Sequence, residues 1–344
     1  RSTKLIHGGL RYLKQFEIQL VREVGRERDI IWRNAPHVVH PENMLLPIIE
    51  KGSLGKGSTS VGLYVYDVLA GVKRSERRVM LSKSQTLNQE PLLRKEVVIG
   101  GGLYKEYRTD DARLVIEVLK TAVKKGAVAL NYIQAHSFVY ENKKAVGANV
   151  ENVTTGNTFA IKAHKIVNAA GPWVDELRRS DNSLKGKRLH LTKGVHIVVP
   201  YGRLPLKQAI YFDVADGRMV FAIPRDKVTY IGTSDTIYKE AIDKPVASRA
   251  DVEYLLNAIN FIVPNQNLKV EDVSSSWAGL RPLIHEDGKD PSELSRKDEI
   301  FHSPSGVISI AGGKLTGFRK MAERTVDIVA EQLTKEKQKI SRKI

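Results

Sequence analysis

Residues 306–320 read GVISIAGGKLTGFRK. Val307, Ile308, Ile310 and Ala311 have the make-up of a buried strand over Gly306–Ala311, Gly312-Gly313 punctuate it, and the spacing beyond predicts a helix from about Lys314 to Leu333. A strand that passes through glycines into a helix lets backbone approach a ligand closely and aims N–H groups at it. A second stretch has the same form: KIVNA, 165–169, runs into Ala170-Gly171-Pro172. Ahead of KIVNA lie short strand-like runs at Val128–Ile133, Ser137–Tyr140, Val146–Val153 and Thr158–Lys162, joined by Asn/Lys and Thr-Gly turns. A further β-rich block covers 195–235. Helical spacing is present over Ile18–Trp32, ended by Pro36, and over 61–72, after a Gly/Ser-rich segment at 52–60 that reads as a loop. Two more helices are marked by their starts. One begins at Thr109 or Asp110, with Leu114, Val115, Val118, Leu119, Ala122 and Val123 as its apolar stripe, and one is capped by Ser248. The expected class is mixed α/β with an antiparallel sheet, and no internal repeat is present.

Composition bounds what such a chain can do. Its 344 residues suffice for one large domain or two ordinary ones, and 42% hydrophobic with 27% charged residues is the balance of a globular protein. With no cysteine, disulfides, thiolate nucleophiles, Cys-ligated zinc and iron–sulfur clusters are excluded. No apolar run approaches the ~18–20 residues that span a bilayer; Val61–Val72 is too short and contains Asp67. The first residues lack the apolar core of a secretory signal. A net charge of +16 is compatible with nucleic acid, an anionic membrane surface or an anionic substrate. Basic clusters stand at Lys73–Arg78 and Lys335–Lys343, without the motifs that usually accompany nucleic-acid binding, so no nucleic-acid partner is expected.

Several motif matches fail. Gly100-Gly101-Gly102 follows a strand-like run, yet the third glycine of a dinucleotide fingerprint would fall on Lys105. Gly55-Lys56 is followed by Gly57 where a phosphate loop needs Ser or Thr, and His37 with His40 lacks the carboxylates of a metal site. No metal site is expected. Four glycine-adjacent cationic motifs remain: His7-Gly8-Gly9-Leu10-Arg11-Tyr12, Thr192-Lys193-Gly194-Val195-His196, Gly279-Leu280-Arg281-Pro282 and Gly312-Gly313-Lys314-Leu315-Thr316. Arginine grips phosphate through a forked, permanent charge, and histidine can take a hydroxyl proton near neutral pH.

The blocks RSTKLIHGGLRYL (1–13), YRTDDARL (107–114), VNAAGPWVDEL (167–177), LTKGVHIVVP (191–200), IGTSDT (231–236), WAGLRPL (277–283) and AGGKLTGFRK (311–320) resemble, in order, the FAD-dependent glycerol-3-phosphate dehydrogenase/oxidase family. The resemblance implies a Rossmann-like FAD-binding domain of the D-amino-acid-oxidase/glutathione-reductase type, interleaved with an antiparallel substrate sheet. It assigns 1–40, 105–190 and 300–335 to the FAD domain, 41–104 and 191–299 to the substrate domain, and 336–344 to a basic tail. It also implies that a strand, a G-x-G-x-x-G turn and a helix belong before Arg1, and a helical region after Ile344. On that expectation the chain is an interior fragment whose hold on FAD is weakened.

The implied reaction is oxidation of sn-glycerol 3-phosphate to dihydroxyacetone phosphate, with hydride passing from C2 to the flavin and electrons going to membrane quinone. An oxygen-using oxidase is the alternative, as is a non-catalytic basic module on a degenerate flavoprotein scaffold. The resemblance gives Arg281 the phosphate with help from Arg11, Lys314 the developing alkoxide, His196 the C2 hydroxyl proton with His7 as the alternative, and Tyr12 substrate support. For FAD it implies Ser2, Thr3, Lys4, Leu5, Gly8, Gly9, Ala135, Ala169, Ala170, Gly171, Gly312, Gly313, Lys314, Leu315 and Thr316. It further implies a cytoplasmic protein, an anionic membrane surface on the inner face of the cell membrane as a partner, and a homodimer.

Overall fold

Gly100-Gly101-Gly102 is a packing seat. A Cβ on Gly101 would lie 2.8 Å from Thr86 Oγ1 and one on Gly102 2.6 Å from Leu63 Cδ1, so two helices press on a strand that has no side chains there to hold them off. The structure is a computed structural model and describes residues 2–7, 18–50, 52, 55–69, 77–286 and 297–341. In chain order its elements are β1 (Leu5–Ile6), α1 (Ile18–Asn34), β2 (Val39–Ile49), α2 (Lys56–Leu69), β3 (Val79–Ser82), α3 (Lys83–Gln89), β4 (Val98–Thr109) and α4 (Asp111–Lys124). There follow β5 (Ile133–Glu141), β6 (Lys144–Asn152), β7 (Asn157–Lys162), β8 (Val167–Asn168), α5 (Val174–Ser180), β9 (Lys187–Pro200), β10 (Ala209–Asp213), β11 (Met219–Arg225), β12 (Val228–Gly232) and β13 (Thr236–Ile237). The last are α6 (Arg249–Ile262), β14 (Ser275–Glu286), β15 (Asp298–His302), β16 (Ile308–Gly312) and α7 (Phe318–Ser341).

The chain divides into two compact units, residues 1–115 with 193–280 and residues 116–192 with 281–344. The first is built on a mixed sheet in the order β1-β4-β2-β10-β11-β12-β9-β13, with β3 beside β4 and β14 beside β9. All pairs along β10-β11-β12-β9 are antiparallel, whereas β10 runs parallel to β2. Period-two alternation divides its two faces. Val195, Ile197, Val199, Ile210, Phe212, Val220, Ala222 and Ile231 share a core with Leu255, Leu256, Ile259 and Ile262 of α6. The intervening residues Tyr211, Phe221, Ile223 and Tyr230 belong to the opposite face, with Leu5, Met44 and Leu63. Helix α6 starts where expected: Ser248 Oγ accepts the Asp251 N–H while the Asp251 carboxylate accepts the Ser248 N–H, a reciprocal cap.

Strand β1 and helix α1 belong with this sheet because Leu5 and Ile6 pair with Arg108 and Tyr107, and because α1 is tied to β4. Arg28 and Glu106, each 3% exposed, form a 3.0 Å ion pair, and the guanidinium lies 4.8 Å from the Tyr107 ring centre. The second unit contains two three-stranded sheets, β5-β6-β7 and β15-β16-β8. In the latter β16 is parallel to β8, with Ile308 opposite Val167 and Ser309 opposite Asn168.

Two local expectations need correction. Residues 56–60 are helical rather than loop: α2 begins at Lys56, because burying Thr59 and Leu63 outweighs the poor propensity of Gly57 and the serines. The run 128–132 is not a strand. Val128 is 84% exposed, Tyr132 has φ 58°, and pairing begins only at Ile133. In α4 the spacing gave the helix correctly, but of its apolar stripe Leu114 is buried while Val115, Val118, Leu119 and Val123 are exposed. Periodicity reports which face could be buried, not what lies over it. Among the described residues no helix is long and apolar enough to cross a membrane.

Candidate functional site

In the first unit the face of the sheet away from α6 carries an aromatic and imidazole cluster. His196 enters it from β9, out of phase with Val195 and Ile197, and is 3% exposed. Its ring stacks on Trp277, centroids 4.9 Å apart and planes 9° from parallel. Its Nε2 is 3.1 Å from Thr3 Oγ1. Gly232 lies opposite His196 in the β12–β9 register, and a Cβ there would sit 2.0 Å from the imidazole Cδ2. Only glycine leaves room for that ring.

Trp277 Nε1 donates to Ser2 O at 3.1 Å, and the Tyr230 hydroxyl donates to Thr3 O, also at 3.1 Å. Burial pushes the Tyr230 hydroxyl above its ordinary value, which keeps it a neutral donor. Residues 2–4 are therefore held from three sides before β1 begins. The Lys4 backbone turns at φ 56°, its N–H donates to Ser2 Oγ, and its ammonium pairs with Asp111 at 2.7 Å. Burial works against ionisation of Asp111, and the Lys4 ammonium with the Ser2 hydroxyl outweighs it, so the carboxyl titrates below its ordinary range. His7, half-buried, sets its ring edge against Phe221 with centroids 5.9 Å apart, and Phe221 stacks on Tyr211 at 4.0 Å.

The cation in the LTKGVH block has a structural partner. Lys193 pairs with Asp251 at 2.7 Å and donates to Val246 O at 3.2 Å, which anchors β9 to the cap of α6. Gly8, Gly9, Arg11 and Tyr12 lie outside the described residues.

In the second unit the parallel pair β8–β16 brings the two glycine turns to neighbouring strand ends. Gly171 adopts φ 57° and nothing lies within 4 Å of where its Cβ would be, so the Ala169–Gly171 turn offers open backbone. Gly312 and Gly313 adopt φ 76° and 79°. Their Cβ atoms would fall 2.5 Å from Lys297 O and 2.6 Å from Met321 Sδ, so this turn is glycine by necessity. Lys314 is extended and half-buried, and Leu315–Gly317 form a single 3-10 turn before α7, with Thr316 buried. Arg281 is half-buried on β14, and on the paired strands β9 and β14 the rings of His190 and His285 are 6.5 Å apart. Ala135 is exposed on β5 at a break in the β5–β6 register.

Residues 1–330 match the model of the FAD dependent oxidoreductase family. The chain belongs to that family. Within it, the chain is 59% identical over 339 residues to the aerobic glycerol-3-phosphate dehydrogenase of Bacillus subtilis, a match covering 98% of the chain and 61% of the relative. It is 51% identical to a glycerol-3-phosphate dehydrogenase from Bacillus halodurans solved in complex with FAD, with a TM-score of 0.80, covering 97% of this chain and 57% of that one. Glycine oxidase from Bacillus cereus shares the fold at 18% identity and TM-score 0.63, covering 92% of this chain and 81% of that one. The chain thus spans about three fifths of the length of the two glycerol-3-phosphate dehydrogenases. The mixed α/β flavoprotein fold expected from the sequence is the fold of this family.

Sequence reasoning gave no roles to Trp277, Tyr230, Gly232 or Asn168. A signal for the first two was available: once β9, β12 and β14 are in register, alternation puts Tyr230 and Trp277 on the His196 side. Register itself is a tertiary fact.

Proposed function

We propose that this chain is the greater part of the cofactor and substrate machinery of an FAD-dependent sn-glycerol-3-phosphate dehydrogenase. The observation that carries the proposal is the 59% identity over 98% of the chain to an aerobic glycerol-3-phosphate dehydrogenase. The glycine turns fit the cofactor: Gly171 leaves backbone open to a flat or phosphorylated group, and Gly312 and Gly313 can carry no side chain. Ala169–Gly171, Gly312–Thr316, Ala135 and the segment from Ser2 to Gly9 would hold FAD. When bound, FAD supplies the two-electron acceptor for the hydride of substrate C2.

The chain's own groups do the rest. Arg281, with Arg11, holds the phosphate as a forked cation. Lys314 offsets the negative charge that develops on the C2 oxygen. Tyr12 supports the substrate. Between the two histidines, the enclosure of His196 by Trp277, Gly232 and Thr3 supports a holding role for it. The half-buried His7, beside the segment so held, is then the group that takes the C2 hydroxyl proton on an imidazole nitrogen.

Membrane quinone is the proposed electron acceptor. On α2, Val61, Tyr64 and Val68 are 53–63% exposed at i, i+3 and i+7, and Arg78 lies over the Tyr64 ring at 5.1 Å. An apolar stripe beside basic residues suits the surface of an anionic bilayer. Co-sedimentation with phosphatidylserine vesicles, lost on Tyr64→Glu, tests this; equal sedimentation of both proteins would exclude α2.

The decisive experiment is the visible spectrum of the protein supplied with FAD, before and after anaerobic sn-glycerol 3-phosphate. Bleaching of the oxidised band is expected. A bound flavin that does not bleach would overturn the substrate assignment, and no flavin uptake would overturn the cofactor assignment for this length of chain.

A further inference from the structure

Asn168 has no place in the chemistry above, yet it is one of the most fully engaged polar side chains of the second unit. It is 3% exposed at the end of β8. Its Nδ2 donates to Val174 O at 3.0 Å and to Ser309 Oγ at 3.2 Å, and its Oδ1 accepts the Ala170 N–H at 3.3 Å. These partners stand at three places: inside the Ala169–Gly171 turn, at the start of α5, and on β16 three residues before Gly312. Both amide protons and the carbonyl are used, so the side chain has one orientation in which all its partners are satisfied. Ser309 also faces Asn168 in the β16–β8 register, so the link runs parallel to the backbone ladder and extends it past the last residue of β8.

We propose that Asn168 is the positioning residue that couples the two glycine turns, fixing the 169–171 turn relative to the strand that delivers 312–316. The proposal rests on the reading of these turns as a flavin cradle. The physical ground is the shortness of β8. Two residues of parallel pairing are too few to set the angle at which the chain leaves the sheet, and the turn that follows contains a left-handed glycine. A buried amide with three partners supplies the missing constraint, and because one of those partners is on β16, displacement of either turn is felt at the other. Neither the neighbouring alanines nor a hydrophobic residue at 168 could do this.

The test compares Asn168→Ala, which removes all three bonds, with Ser309→Ala, which removes only the link to β16. Val150→Ala, on β6 of the same unit, serves as a purely destabilising control. Hydrogen exchange followed by mass spectrometry is run on the protein without added FAD, so it does not depend on flavin uptake. Asn168→Ala is expected to speed exchange about tenfold in peptides covering 168–175 and 308–318, the factor for losing one net buried hydrogen bond. Ser309→Ala, which keeps the bonds to Val174 and Ala170, should affect 308–318 and speed 168–175 less than Asn168→Ala does, and Val150→Ala should affect neither selectively. Exchange in 308–318 unchanged by Asn168→Ala would overturn the coupling.

A second arm measures FAD dissociation and the visible circular dichroism of bound flavin. Asn168→Ala should weaken FAD about tenfold or more and alter the flavin signal, whereas Val150→Ala at matched loss of melting temperature should leave the signal unchanged. An unaltered signal in Asn168→Ala would overturn the positioning role while leaving the FAD reading intact. If the parent protein takes up no flavin, it is the FAD reading that fails, and the exchange arm decides the coupling alone.

Discussion

Replacing Lys193 by Met should cost stability and leave flavin uptake untouched, although Lys193 stands in a glycine-flanked block that reads like a ligand motif. Met keeps the apolar stem and deletes the charge. Lys193 is 13% exposed and Asp251 4%, with N and O 2.7 Å apart. Removing one partner of a buried pair strands the other, at a typical cost of ~3–5 kcal/mol. Asp251 keeps the Ser248 N–H at 2.9 Å and the Ser248 hydroxyl at 2.6 Å, which places the expected loss at the lower end, about 3 kcal/mol.

The loss should depend on pH in a defined direction. Burial raises the Asp251 pKa, and Lys193 with Ser248 more than offsets it, leaving the folded value below the ordinary 3.8. Ionised Asp251 therefore contributes stability that is present above pH 3.8 and fades as pH falls through the folded value. Without Lys193 that contribution shrinks, so the gap between wild type and variant should be widest near neutral pH and narrow below 3.8. Urea unfolding of wild type, Lys193→Met, Asp251→Asn and the double variant gives the coupling energy directly. A coupling near zero, or a loss of flavin uptake with stability unchanged, would refute the reasoning.

Arg281→Ala should lower kcat/KM for glycerol 3-phosphate by about 1.5–3 kcal/mol in the transition state and barely change turnover of glycerol; equal losses on both substrates would remove Arg281 from the phosphate. Gly232→Ala should destabilise by roughly 1–3 kcal/mol through overpacking, because its Cβ would fall 2.0 Å from the His196 ring; a wild-type melting temperature with unchanged Trp277 fluorescence would contradict the stacked geometry. Glu90 is fully buried, and burial raises its pKa despite backbone N–H bonds from Lys207 and Leu92. A raised carboxylate favours the protonated folded state, so wild-type stability should decline as pH rises from 4.5 through the folded value, and Glu90→Gln should flatten that decline. Parallel pH–stability curves for the two proteins would count against it.

The sequence by itself determined much of this protein. The strand–glycine–helix run at 306–320 marked the class of fold, because glycine turns and buried strands leave local marks in composition, and the ordered blocks around it carried the family by resemblance. The caps at Asp110 and Ser248 were legible for the same reason, since a cap is made by residues three positions apart. What only the tertiary structure decided depends on register and on what lies opposite. Gly100–Gly102 became a helix seat, not a nucleotide turn, because Thr86 and Leu63 come to it from elsewhere in the chain. Lys193 went to Asp251 rather than to a ligand, and His196 to Thr3 and Trp277, across 58, 193 and 81 positions of sequence. The stripe of α4 was legible as apolar, but the exposure of Val115, Val118, Leu119 and Val123 was not, since helical period records the character of a face and carries no information about its neighbour. Side chains whose roles are set by partners far along the chain stay silent until the strands are aligned.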